Sequence, residues 1–373
     1  MKKILVVFLA VLTAASLMIG CSKKAGALIG IAMPETHVMR WVKDGNSLKA
    51  EAEKRGYAAE VQYGDANQPT QNQQIQSFLT QGAKLLVVGS INDGVGAVIS
   101  EAARDNVQVI AYDRIIPNSE DYNYYITFNN FKVGVLQAQS IVDGLNLNAA
   151  TSDAPKYITL FAGSPTDGNA FFFFDGAMSV LNPYIDSGKL AVVGPYPRTS
   201  ADTSNFQRIA TENWQANTAK IRMENLLNGD ARNVTLDAVL APNDPLARAI
   251  IEACKADAKY RTKLPVVTGQ DAELDSAKSI KNGEQYSTVF KDTAKLAEAA
   301  IILADAILNK QTPVIPGAVT AESIGLGEIG DTGKKRVTTY LLDPVLVTRE
   351  NLNVPIDAEF YERADAILLG VGL

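Results

Sequence analysis

Six short stretches of this 373-residue chain gather cations, carboxylates, amides and aromatic rings more densely than turn formation requires. They are Met39-Arg40-Trp41, Tyr112-Asp113-Arg114, Gly163-Ser164-Pro165-Thr166-Asp167-Gly168-Asn169, Pro242-Asn243-Asp244-Pro245, Gly269-Gln270-Asp271 and Val289-Phe290-Lys291-Asp292. Taken one at a time, an Asp or Asn at a strand exit is accounted for as a turn former and a cap for the next helix. Capping has no use for the Arg, Trp and Lys that recur beside them. Arg40, Arg114 and Lys291 are matched by Asp113, Asp167 and Asp271, so a pocket built from them has no surplus positive charge with which to select a phosphate or a carboxylate. The set suits an uncharged polyhydroxyl ligand, whose hydroxyls both donate and accept hydrogen bonds and whose CH faces stack on rings. Trp41 and Trp214 are the only tryptophans, and each has an ordinary alternative as a core residue beneath a helix.

These stretches fall at the ends of predicted strands. Short β-branched runs alternate with helical segments: Leu28 to Met33, a helix near Arg40 to Lys54, Ala59 to Tyr63, a helix near Gln71 to Gln81, Leu85 to Gly89, a further helix, and Val107 to Tyr112. A second set runs from Tyr157 to Phe161 through helices at Asn169–Leu181, Asn213–Leu227 and Leu246–Lys255, with strands at Leu190–Val193, Ala238–Ala241 and Val266–Thr268. The rhythm implies right-handed βαβ crossovers and two doubly wound parallel-sheet α/β lobes. Tyr125–Phe128, Tyr286–Phe290 and Thr338–Leu342 are three extended segments placed where the chain can cross between lobes. A ligand cleft at the carboxyl ends of the strands follows from that architecture. Phe171 to Phe174 open a helix and point around most of its circumference, so at least one must face a cleft or a partner.

Several chemistries lose support. The formal charge of −6 and pI near 5.1, without a basic cluster, disfavour nucleic acid as a partner. His37 is the only histidine, which removes His-based zinc sites and leaves a single, weak candidate for a catalytic base. No calcium loop is present, and no metal or other cofactor is expected. Gly325-Leu326-Gly327-Glu328-Ile329-Gly330 has the letters of a dinucleotide fingerprint, but it comes late and joins no strand to a helix. Gly333-Lys334-Lys335 lacks the rest of a phosphate loop. Asp271 and Glu273 have the residue types of a glycosidase pair, yet carboxylates two apart at a strand exit are more simply a cap and its neighbour.

The first residues set location. Lys2 and Lys3, the apolar run Ile4 to Ile19, then Gly20-Cys21-Ser22-Lys23-Lys24 read as a bacterial lipoprotein signal that makes Cys21 the lipidated first residue. Sixteen apolar residues fall short of a bilayer span of roughly twenty. Met18 stands where such signals usually carry Leu. With Cys21 committed, Cys254 has no partner for an intramolecular disulfide.

Residues 27 to about 352 resemble the periplasmic monosaccharide-binding proteins of ABC importers, most closely the xylose-binding and multiple-sugar-binding types. The stretches that carry the resemblance are Ile29 to Trp41, Val109 to Arg114, Phe128 to Gly134, Gly163 to Asp186, Val267 to Glu273 and Glu284 to Asp292. It implies the type I periplasmic binding protein fold, two lobes joined by a three-segment hinge with one sugar between them. The expected organisation is a signal peptide at 1–20, a tether at 21–26, a first lobe of 27–129 plus 292–334 and a second of 130–291 plus 335–373. By the same resemblance Arg40, Asp113 and Arg114 bind sugar hydroxyls from the first lobe, and Asp167, Asn169, Asn243, Asp271 and Lys291 from the second lobe and hinge. Trp41 and Trp214 are the implied stacking surfaces, with Phe173 a further candidate, and either Asn243 or Asp244 faces the ligand. The segment Pro195 to Asn213 is longer than usual for the family. The implied role is a lipid-tethered, monomeric receptor on the periplasmic or extracytoplasmic face that delivers a neutral monosaccharide (xylose, glucose, galactose or arabinose class) to an ABC permease. An alternative is a sensor that docks on a chemoreceptor or sensor kinase; a sugar-acting enzyme is less favoured. A repressor on the same lobes would need a DNA-binding helix pair ahead of the first strand, where this sequence has the signal.

Overall fold

The structure, a computed structural model, describes residues 26–369. The expected signal peptide and the lipidation site at Cys21 lie outside the described residues. In chain order the first elements are β1 (Leu28–Met33), α1 (Arg40–Lys54), β2 (Ala58–Tyr63), α2 (Gln68–Thr80), β3 (Leu85–Val88), α3 (Gly96–Arg104), β4 (Gln108–Tyr112) and β5 (Tyr124–Phe128). The chain then runs through α4 (Asn130–Leu145), β6 (Lys156–Leu160), α5 (Gly168–Asp186), β7 (Leu190–Val192), α6 (Thr203–Ile209), α7 (Ala216–Asn228), β8 (Ala238–Leu240), α8 (Asp244–Ala256), β9 (Val266–Val267), α9 (Leu274–Lys281) and β10 (Ser287–Phe290). It closes with α10 (Thr293–Leu308), β11 (Ala318–Thr320), β12 (Thr338–Leu342), β13 (Val345–Thr348), α11 (Asn353–Asp357) and α12 (Arg363–Leu369).

The first lobe is built on a seven-stranded sheet of order β11-β12-β5-β4-β3-β1-β2, parallel except for β11. Its central strands are apolar on both faces because helices cover both. Ile29, Ile31 and Val87 pack with α1 and α10 on one side, and Ala32, Leu86 and Val88 with α2 and α3 on the other. The second lobe has the parallel sheet β7-β6-β8-β9. β10 continues it, since Tyr286 N–H donates to Val267 O (3.0 Å) and Val289 N–H to Gly269 O (3.2 Å), and β13 pairs antiparallel with β10. α4 and α5 cover one face of this sheet, α7 and α8 the other. α4 and α5 touch backbone to backbone at Gly134, where a Cβ would sit 1.8 Å from Phe173 O.

Two expectations need correction. The expected organisation places residues 335–342 in the second lobe, but β12 lies parallel to β5 in the first sheet, from Thr338 opposite Tyr124 to Leu342 opposite Phe128. Val337 and Leu341 are buried in the first lobe's core, so the third crossover follows Leu342. The single helix expected over Asn213–Leu227 is broken: Asn213 and Trp214 have φ of 49° and 54° in a short turn, and α7 begins only at Ala216. The glycine run at 325–330 forms tight turns between β11 and β12.

Candidate functional site

Where the carboxyl ends of the two sheets face each other, one cavity is lined by Arg40, Trp41, Asp113, Arg114, Asp167, Asn169, Phe173, Trp214, Asn243, Asp271 and Lys291, together with Val38 and Gln270. The structure thus brings together all eleven residues expected there. Every lining residue except Arg114 is buried, so a ligand gains access to them when the lobes part.

On the first lobe, Arg40 opens α1 and is 6% exposed. Its Nη2 donates to Asp44 Oδ2 (2.8 Å), one helical turn on, and to Asp113 Oδ1 (3.0 Å) at the end of β4. Burial opposes the charge on Arg40, but Asp113, Asp44 and Asp271 outweigh it and hold the guanidinium well above its ordinary pKa. Burial likewise works against the Asp113 carboxylate, and Arg40 and Lys291 reverse it, lowering that pKa. Asp44 is pushed up to about 6 by burial, with Arg40 opposing. Arg40 and Arg114 lie 4.7 and 5.0 Å from the Trp41 ring centroid. Trp41 therefore satisfies both readings of its sequence: it belongs to the first lobe's core and walls the cleft.

Asp167, Asn169 and Asn243 of the second lobe come from helix starts. Asp167 caps α5 through Oδ1, which accepts from Asn169 N–H at 3.0 Å, while Oδ2 lies 3.1 Å from Arg114 Nε and accepts from Trp214 Nε1 at 3.3 Å. Asn243 caps α8 through Oδ1, accepting from Leu246 N–H at 3.2 Å. Asp244 turns away from the cavity: it is fully buried, accepts from Gln285 Nε2 (2.9 Å) and Glu273 N–H (2.8 Å), and is pushed up to about 8 by burial, with Glu273 adding to it. Asp271 meets Lys291 Nζ at 3.1 Å and Arg40 at 3.9 Å. Phe173 and Trp214 meet edge to face at 6.5 Å, and Gly163 makes room for the indole, since a Cβ there would lie 2.0 Å from Trp214 Cη2.

Asn169 bridges the lobes. Its Nδ2 donates to Asp113 O (2.8 Å) and its Oδ1 accepts from Asn130 Nδ2 (2.7 Å). Asp113, Trp214 and Asp271 hold left-handed backbone at φ 59°, 54° and 93°, a conformation that costs a non-glycine residue on the order of 1–3 kcal/mol and collects at functional sites. Arg40 Nε and Gln270 Oε1 are buried without a hydrogen-bond partner.

Sequence reasoning placed Gln270 in one of the polar stretches without giving it a role at the site, and it missed Asp44, which the i, i+4 spacing from Arg40 signals. It also missed Glu35, 4% exposed and 4.0 Å from Arg114, whose pKa burial raises while Arg114 opposes. His37 contacts Glu35 at the rim and lines no part of the cavity. The four phenylalanines divide their faces. Phe173 reaches the cleft, Phe172 packs against the first lobe's core, and Phe171 and Phe174 meet Phe206 of α6 at 5.0 and 5.5 Å.

The family model described as periplasmic binding protein domain matches residues 29–312, most of the chain. The chain belongs to this family of periplasmic binding proteins. The multiple sugar-binding periplasmic receptor of Rhizobium radiobacter is 43% identical over 343 residues, 91% of this chain and 92% of that protein. The D-xylose-binding periplasmic protein of Escherichia coli is 34% identical over 325 residues, 87% of each. Among solved structures, an ABC transporter solute binding protein from Clostridium phytofermentans with bound β-D-glucose superposes with a TM-score of 0.80 at 35% identity, covering 91% of this chain and 99% of that one. This periplasmic binding protein has the type I fold, and its relatives are transport receptors rather than enzymes.

Proposed function

We propose that the protein captures one neutral monosaccharide between its lobes and delivers it to an ABC permease on the outer side of the cytoplasmic membrane. The observation that carries this reading is the composition of the cleft: three cations and three carboxylates in balance, with Trp41 on one wall and Trp214 with Phe173 on another. Such a wall offers donors and acceptors in equal measure and flat apolar faces, which is what a ring of neutral hydroxyls requires. The names of the relatives, which specify several sugars, D-xylose and bound β-D-glucose, support the same ligand class. Closure is a hinge motion about the three crossovers. The sugar contacts both lobes only when they meet, so binding favours the closed state. A hydroxyl that is missing or inverted leaves a buried partner unpaired, at about 1–3 kcal/mol each.

Titrating the chain from Ser22, which retains every described residue, with glucose, galactose, xylose, arabinose and ribose tests this through tryptophan fluorescence. At least one sugar is expected to change the signal strongly, because both tryptophans wall the cleft. Silence toward all five sinks the assignment, and an Asp271→Ala protein that folds and still binds normally sinks the site. A lipid on Cys21, supported by the signal-like residues before it, would hold the receptor near its permease. Mass spectrometry of the membrane-extracted protein checks it, an unmodified Cys21 being the contrary result.

A further inference from the structure

Beside the cleft a wider hollow of about 740 Å³ opens between the start of α1, α9 and the C-terminal segment that holds α11 and α12. That segment is fixed to the second lobe. Tyr361 OH donates to Ala272 O at 2.6 Å, the Phe360 ring meets Phe290 edge to face at 5.0 Å, and Tyr361 and Leu369 share a core with Ala277, Ile280 and Val347. Lys43 belongs to the first lobe, on α1 three residues beyond Arg40. Its Nζ donates to Phe360 O at 2.9 Å and stands 4.0 Å from the centroid of the Phe360 ring and 5.6 Å from that of Tyr361. The hollow also holds Glu273, Glu362 and Asp365, all of sign opposite to Lys43. Any opening that separates α1 from α9 must break the Lys43–Phe360 bond and lift the ammonium off the ring, because one partner moves with each lobe.

We propose that Lys43 and the C-terminal segment form a clasp that closes over the side of the cleft and sets how long a bound sugar stays. The inference rests on the sugar-capture reading for its ligand, but not for the clasp itself. Contacts made only on closure slow release and leave association almost untouched. An exposed charged hydrogen bond together with an exposed cation–π contact corresponds to roughly a three- to tenfold change in rate.

Stopped-flow tryptophan fluorescence with D-glucose and D-xylose provides the kinetic test. The Lys43→Met protein is expected to release sugar about fivefold faster with association within twofold of the parent; an unchanged release rate overturns the clasp. A second measurement needs no sugar. Nitroxides placed by Glu53→Cys on α1 and Glu252→Cys on α8, both exposed, report the distance between lobes, and Cys254, the only cysteine among the described residues, is buried. Lys43→Met is expected to shift the sugar-free distribution toward longer distances, and superimposable distributions overturn the proposal. If the parent ignores both sugars while this shift appears, the capture reading fails and the clasp stands.

Discussion

On the first lobe's side of the cleft, Arg40 is gripped by two carboxylates of its own lobe, Asp44 at 2.8 Å and Asp113 at 3.0 Å, in a network with almost no solvent contact. On the second lobe's side, Asp167 and Asn243 are held through backbone caps, one oxygen fixed by a helix N–H. The Asp167 oxygen that remains faces Arg114 and Trp214. The first arrangement positions charges with other charges, and the second positions them with the main chain. Loss of a member should therefore spread through the first side and stay local on the second.

The sharpest way to break this contrast is Arg40→Met. It leaves Asp44 and Asp113 buried without their cation, a loss of about 3–5 kcal/mol by the usual cost of orphaning a buried ion pair. Urea unfolding is expected to show that loss, and sugar titration no response. A loss below about 1 kcal/mol would mean the network is not what holds these charges.

Next in size is a difference in pH dependence. Asp44 and Asp244 are both raised by burial, to about 6 and about 8. While pH lies between the unfolded value near 4 and the folded value, the unfolded chain has lost a proton that the native chain keeps. Stability therefore falls as pH rises, by about 1.4 kcal/mol per unit for each such group. The contribution is complete below pH 4 and is lost once the native group also ionises, at about 6 for Asp44 and about 8 for Asp244. Asp44→Asn is expected to flatten the stability curve only below pH 6, and Asp244→Asn up to pH 8. Glu35 and Glu273, also raised by burial, contribute to the slope of every variant, and because Glu273 also raises Asp244 the Asp244→Asn curve reports that pair together. Identical curves for the two variants would dissolve the distinction.

Smaller again is a pair of changes at one residue. Asp167→Asn keeps an oxygen for the cap but sets an amide nitrogen where Oδ2 accepts from Trp214 and faces Arg114, so stability should fall by about 1–3 kcal/mol while sugar affinity drops more steeply. Asp167→Ala removes the cap as well and should cost on the order of another 1 kcal/mol. Thermal melts and titrations of both separate the two roles, and equal melting points would show that the cap contributes nothing.

How much of this was legible beforehand follows the same division. Strands such as Leu85–Val88 and caps such as Asp167 announce themselves through local pattern, apolar runs and helix-start chemistry. Nothing local marks the side of the hinge on which β12 lies, because Thr338–Leu342 reads as a strand in either lobe until it pairs with β5. The break at Asn213–Trp214 is hidden in the same way. It depends on the indole reaching over Gly163 to Asp167, nearly fifty residues away. Asp44 is readable from its i, i+4 spacing to Arg40, whereas Gln270 looks like any other strand-end glutamine and is marked only by its burial in the cavity lining.

The smallest expected effect comes from the hinge surface, where Lys132 of α4 meets Asp343 at 3.0 Å with both side chains well exposed, 41% and 70%. The pair joins two crossovers, so it has a position from which to influence closure, yet solvent screens it and two flexible chains must be ordered to form it. Lys132→Ala should change stability by less than about 1 kcal/mol, and that remainder should vanish at high salt. Sugar affinity should stay within about fivefold, since about 1 kcal/mol corresponds to that factor. A large fall in affinity here would mean that the hinge, rather than the buried charge network, sets the balance between open and closed forms, and the contrast between the two faces of the cleft would then describe assembly of the site without explaining its closure.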